Sequence, residues 1–122
     1  MVDDVADSRE LMSAILAQCG AEVTAAATVR GALAALEQAS FDVLISDIAL
    51  PDGDGYALMR TIRARDAARG GRLPALALTA YARTEDRDQA IAAGYERHAA
   101  KPIEPAELAA LVATLAGRTG AP

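Results

Sequence analysis

Two apolar runs constrain this chain more than any other feature: "FDVLIS" at 41–46 and "PALALT" at 74–79. Each is nearly continuous in apolar residues, the pattern of a strand covered on both faces, as in parallel sheets flanked by helices. Stretches of helical spacing separate such runs along the chain. Met1 to Asp4 reads as the end of a first strand, "EVTAA" at 22–26 as a second, and "RHAA" at 97–100 as a fifth. Strand and helix thus alternate five times. This predicts an α/β domain: an open, doubly wound, five-stranded parallel sheet with helices on both faces and right-handed crossovers.

The helices carry local signals. Asp7 with Glu10 forms a capping-box-like start for the first helix. Leu11, Ile15, Leu16 and Cys19 form its stripe, with Cys19 as buried filler, and Gly20 ends it. Thr28 is placed to cap a second helix with Val29, Leu33 and Leu36 on one side. A third spans roughly Tyr56 to Arg65, with Leu58, Met59 and Ile62 inward. "ARGGR" at 68–72 is a polar connection. The fourth helix runs from Thr84 to Ala93 and stops at Gly94. Pro105 opens the fifth, with Leu108, Leu111, Val112 and Leu115 at helical spacing.

At 122 residues the chain is one domain. No apolar run approaches a membrane span and no signal peptide is visible, so a soluble, cytoplasmic protein is expected. A net charge of −5 with no basic stripe argues against direct nucleic-acid binding. The basic residues are eleven Arg and a single Lys, Lys101. An ammonium is a compact point charge on a flexible stem, unlike the planar guanidinium.

In open α/β sheets ligands bind beyond the carboxyl ends of the strands. Asp3 and Asp4 follow the first strand, Asp47 the third, Thr79 the fourth and Lys101 the fifth. Three converging carboxylates repel one another unless a cation intervenes. No His or Cys clusters with them, so the expected cation is hard and oxygen-seeking; Mg²⁺ fits. Lys101 adds a second positive charge and Thr79 a hydroxyl donor. Together they make a cage for a phosphoryl group on a carboxylate, and an aspartate can act as nucleophile to form an aspartyl phosphate.

With "VDD" at 2–4, "SDIALPDGDG" at 46–55, "LTA" at 78–80 and "KP" at 101–102, the chain resembles a response regulator receiver domain, the chemotaxis-type phosphoacceptor of two-component systems. The resemblance implies that Asp47 accepts a phosphoryl group from a histidine kinase or phosphotransfer protein. It implies that Asp3, Asp4, Asp47 and the Ala49 backbone carbonyl hold Mg²⁺. Thr79 is the switch hydroxyl, Lys101 contacts the phosphoryl group, and Lys101–Pro102 is a cis peptide. His98 stands at the switch position where the family more commonly has Tyr or Phe. Phosphorylation and dephosphorylation are then self-catalysed, and the phosphorylated state changes the face formed by helix four, strand five and helix five.

The resemblance also gives a flavodoxin-like strand order, 2-1-3-4-5. The receiver domain then covers 1–117, with 118–122 as a tail. Members carry several apolar residues before the acidic pair, whereas here only Met1 and Val2 precede it. The first strand is therefore expected to be truncated, in a marginal monomer or a dimer that fills the gap.

Other readings fit less well. A calcium loop with Gly55 at its sixth position would need ligands at Leu50 and Thr61. An aspartate-nucleophile phosphatase of the haloacid-dehalogenase type would need a second Asp where Ala49 stands. A receiver-like docking module that is not phosphorylated is the rival of a different class, and acetyl phosphate labelling separates it.

Overall fold

The computed structural model describes residues 1–65, 71–80 and 84–120. Helix α1 (Ala6–Gln18) is followed by α2 (Val29–Gln38) and strand β1 (Leu44–Asp47). A small hairpin of β2 (Ala49–Leu50) and β3 (Gly53–Asp54) leads into α3 (Gly55–Arg63). Then come β4 (Ala75–Thr79), α4 (Thr84–Ala93), β5 (Arg97–Ala100) and α5 (Pro105–Gly120). Strands β1, β4 and β5 form a parallel sheet in that order, in the register Leu44↔Ala75 and Leu76↔Arg97.

The first two expected strands are reduced to single bridges. Val2 pairs in parallel with Ala26 on one side and Ser46 on the other. It therefore sits between the 26 and 46 segments, where the order 2-1-3-4-5 puts the first strand. Its backbone bonds are Val2 N to Ile45 O at 2.7 Å and Asp47 N to Val2 O at 2.8 Å, with Asp3 N to Ala26 O at 3.0 Å. Residues 22–26 contribute a single bridge, at Ala26, so "EVTAA" is not a continuous strand. Val2, Ala32, Leu36, Phe41, Leu44 and Leu73 line a shallow, open cleft at the amino ends of the strands, the sheet end remote from Asp47.

Two cores lie on the two faces of the sheet. One gathers Leu58, Met59, Ile62, Ala75, Ala77 and Tyr95 beneath α2, α3 and α4. The other gathers Met12, Leu16, Leu76, Leu78, Leu108 and Leu115 beneath α1 and α5. The alternation of Ala75 and Ala77 against Leu76 and Leu78 follows the period of two in a strand.

Several local expectations hold. Thr28 caps α2, its hydroxyl accepting from Gly31 N. Gly20 and Gly94 follow their helices at φ of +91° and +118°, a region that favours glycine. Leu58, Met59 and Ile62 are fully buried. Helix α5 continues to Gly120, into the segment expected as a tail, and much of the "ARGGR" connection lies outside the described residues.

The first helix differs. It begins at Ala6 with Val5 as N-cap and no side-chain cap bond, so Asp7 is inside the helix rather than before it. The sector facing α5 carries Met12 and Leu16, while Leu11 is 62% exposed and Cys19 is exposed, not filler. Arg63 at the end of α3 binds two segments at once, the α4–β5 connection and the approach to β4. Its guanidinium donates to Gly94 O at 3.0 and 2.8 Å, to Gly71 O at 3.0 Å and to Glu96 at 3.1 Å.

Candidate functional site

Strand β1 is buried along its length, which carries Asp47 to the sheet's carboxyl edge with only 7% of its surface exposed. The backbone around it is pinned from below. Ser46, fully buried, donates its hydroxyl to Asp47 O at 2.9 Å. Gly55 lies flat against the same carbonyl, since a Cβ there would stand 2.7 Å from Asp47 O and 2.9 Å from Ile48 Cα. Gly55 N donates to Ile48 O at 2.7 Å. The buried Tyr95 hydroxyl donates to Gly55 O at 2.8 Å, and burial pushes that phenol well above the ordinary tyrosine range.

The bridges at Val2 bring Asp3 and Asp4 to the same edge. One carboxylate oxygen from each of Asp3, Asp4 and Asp47 lies within 4.8 Å of the others. Asp3 is fully buried and Asp4 exposed. Asp3 Oδ1 accepts from Val5 N at 2.9 Å, Oδ2 from Lys101 Nζ at 3.0 Å, and its carbonyl from Arg9 at 2.7 Å. Burial acts to raise the Asp3 pKa, but the Ser8 hydroxyl, the Val5 amide and Lys101 together outweigh it and hold the carboxyl below its ordinary value.

Lys101 spans the pocket. Its ammonium lies 3.0 Å from Asp3 Oδ2 and 3.0 Å from Asp47 Oδ2. Burial acts to lower its pKa, yet the bonds to Asp3 and Asp47 prevail and raise it above the ordinary lysine value. The Lys101–Pro102 peptide is cis, and Lys101 N donates to Thr79 O at 2.8 Å. Thr79 ends β4 opposite Ala100. His98 pairs with Ala77 in β5, and its Nε2 is buried without a hydrogen-bond partner among the described residues. Ala49 lies on the hairpin that follows Asp47.

The structure thus assembles Asp3, Asp4, Asp47 and Lys101 in one pocket, with Thr79, Ala49 and His98 on the elements around it. Sequence reasoning missed Arg9, Tyr95 and Gly55. All three act on backbone carbonyls, which no side-chain motif marks; only the crowding of Gly in "DGDG" hinted at a close approach. The donor set fits a hard divalent ion: three carboxylates, with no imidazole or thiolate among the described clusters.

A parallel α/β sheet whose carboxyl edge gathers three carboxylates around one ammonium is the signalling-receiver class of fold. The chain belongs to the response regulator receiver domain family, whose model matches residues 1–113. It is 44% identical over 112 residues to an uncharacterized 14.6 kDa protein of Leptolyngbya boryana, covering 92% of this chain and 84% of that one. It is 34% identical to sensor protein GacS of Pseudomonas syringae over 91% of this chain, but spans only 12% of that protein.

Among solved structures, chemotaxis response regulator CheY4 of Vibrio cholerae superposes with a TM-score of 0.86 at 32% identity, covering 93% of each chain. The receiver domain of sensor histidine kinase PA1611 of Pseudomonas aeruginosa gives a TM-score of 0.86 at 34% identity, covering 95% and 93%. That domain was solved with a magnesium ion coordinated in its active site cleft. No described helix here is long and apolar enough to cross a membrane.

Proposed function

We propose that this chain is a phosphoacceptor in a two-component phosphorelay, with Asp47 as the group that is phosphorylated. The observation that carries the reading is the Lys101 ammonium, 3.0 Å from both Asp3 and Asp47, in a pocket of three carboxylates. An Asp47 oxygen forms the new bond to phosphorus as the bond to a phosphohistidine nitrogen or an acyl oxygen breaks. The leaving imidazole or carboxylate departs with the electron pair. Asp3, Asp4, Asp47 and the Ala49 carbonyl would hold Mg²⁺, which supplies Lewis-acid neutralisation of charge on the transferring group. The phosphoryl group adds close to two negative charges, and Lys101 is placed to offset part of that. Its ammonium moves from Asp47 Oδ2 to a phosphoryl oxygen while keeping Asp3.

Thr79 and His98 then act as the switch. Attraction of the Thr79 hydroxyl toward the phosphoryl group vacates space into which His98 turns, biasing the face of α4, β5 and α5. The partners in this reading are a histidine kinase or phosphotransfer protein in the cytoplasm, and residues 1–117 make up the receiver unit. Acetyl phosphate labelling on phosphate-affinity gels tests the assignment. Labelling is expected to require Mg²⁺ and to vanish in Asp47→Asn. Labelling that survives the substitution or ignores chelation overturns it.

A further inference from the structure

The β2–β3 hairpin is two residue pairs deep, Ala49↔Asp54 and Leu50↔Gly53. A two-stranded ribbon of that size does not hold itself in water. Three ties fix it. Gly55 N donates to Ile48 O, and Asp54 accepts from Ala57 N at 2.7 Å at the start of α3. The third tie reaches across the fold. Exposed Asp52, at the hairpin tip, accepts from Val29 N at 2.8 Å through Oδ1 and from Arg30 N at 3.0 Å through Oδ2. These are the first two amides of α2, and Thr28 takes the next, Gly31 N, at 2.9 Å. Gly53 packs beside them, where a Cβ would stand 3.4 Å from Val29 Cγ2. The Arg30 and Val29 amides hold the Asp52 carboxyl below its ordinary value.

We propose that Asp52 is a positioning residue for the divalent ion: it bolts the hairpin tip to α2, fixes the Ala49 carbonyl, and couples metal occupancy to the amino end of α2. This rests on the metal reading given above. Mg²⁺ demands near-octahedral ligands at about 2.0–2.1 Å, so a carbonyl on an unanchored two-pair ribbon is a poorer ligand. Coupling between two sites is reciprocal in binding free energy. An ion that stills the hairpin must also tighten the hold of Asp52 on Val29 and Arg30.

Calorimetric titration of Mg²⁺ tests this on the full chain, with Asp52→Ala, Asp52→Asn, Thr28→Ala and Asp4→Asn beside the unaltered protein. Asp52→Ala should weaken Mg²⁺ binding roughly tenfold, the low end for groups that orient metal ligands. Asp52→Asn keeps one acceptor oxygen and the side-chain volume, and should lose less. Thr28→Ala removes the helix's own cap and should lower the melting temperature with Mg²⁺ affinity unchanged. Hydrogen exchange at the Val29 and Arg30 amides should slow on adding Mg²⁺, and not in Asp52→Ala. Unchanged Mg²⁺ affinity in both Asp52 variants, with Asp4→Asn weakened, overturns the role of Asp52 alone. Unchanged affinity in Asp4→Asn as well overturns the metal reading and this inference with it.

Discussion

The Tyr95 hydroxyl donates to the Gly55 carbonyl at 2.8 Å across 40 positions of sequence, beneath the backbone that displays Asp47. One phenol thereby joins the approach to β5 to the start of α3. Tyr95→Phe keeps the ring and removes the bond. We expect a loss of about 0.5–1.5 kcal/mol, the net value of a neutral hydrogen bond, read from denaturant midpoints. An unchanged midpoint would show that the bond adds nothing beyond the packing of the ring.

Gly55→Ala should cost more. The new Cβ would stand 2.7 Å from Asp47 O and 2.9 Å from Ile48 Cα, and both neighbours are backbone. Forced overpacking typically costs about 1–3 kcal/mol. Because the displaced carbonyl belongs to Asp47 itself, acetyl phosphate labelling should slow along with the fall in stability. A variant that melts earlier yet labels at the normal rate would separate the scaffold from the chemistry.

Lys101 and a divalent ion answer the same need, positive charge among Asp3, Asp4 and Asp47. In Lys101→Met the carboxylates lose their ammonium, so the rise in melting temperature on adding Mg²⁺ should exceed that of the unaltered protein. A rise equal to or smaller than normal would mean that the two cations do not share a site.

Asp52 gives a pH dependence of known sign. Its carboxyl is held below the ordinary value of 3.8, chiefly by the Arg30 and Val29 amides. A depressed acid contributes stability that is complete above the unfolded value and is lost as pH falls through the lower folded value. The gap in melting temperature between the unaltered protein and Asp52→Asn should therefore be steady near neutrality and shrink below about pH 3.8. A gap that widens on acidification would contradict the bonding seen at α2. Asp52 is solvent-exposed, so the gap should also shrink with salt.

Cys19 is exposed at the end of α1. Ellman's reagent should titrate it in the native protein, without denaturant. Release of thiol only after unfolding would return it to the interior.

The misreading of Cys19 shows where sequence stops. Leu11 and Met12 are adjacent, so the apolar period of the first helix fits two phases that differ by one residue. Contact with α5 selects Met12 and Leu16, and that choice lies in the tertiary packing. By contrast, "FDVLIS" and "PALALT" announced β1 and β4 because full burial leaves no polar alternation to obscure them. The gathering of Asp3, Asp4, Asp47 and Lys101, and the place of Thr79 at the end of β4, were legible because parallel strands all end at the same edge. Arg9, Tyr95 and Gly55 were hidden because their partners are main-chain carbonyls, which every residue carries. The β2–β3 hairpin was hidden because its composition reads as a simple turn.

The sheet pairs of β1 with β4 and β4 with β5 are parallel, and each is closed by a helical crossover. The β2–β3 ribbon, in contrast, joins neighbours in sequence. Loop-closure entropy must be met before a crossover pair gains anything, so the three-stranded sheet has no local seed. Its order in time follows from that. The ribbon and individual helices are expected to form and dissolve early, and Asp47 and Lys101 to meet only after β4 has docked between their strands, an order that φ-values would test. The pocket of carboxylates and ammonium is then expected to be among the last parts of the molecule to form, and weakening it should register mainly in the rate of unfolding.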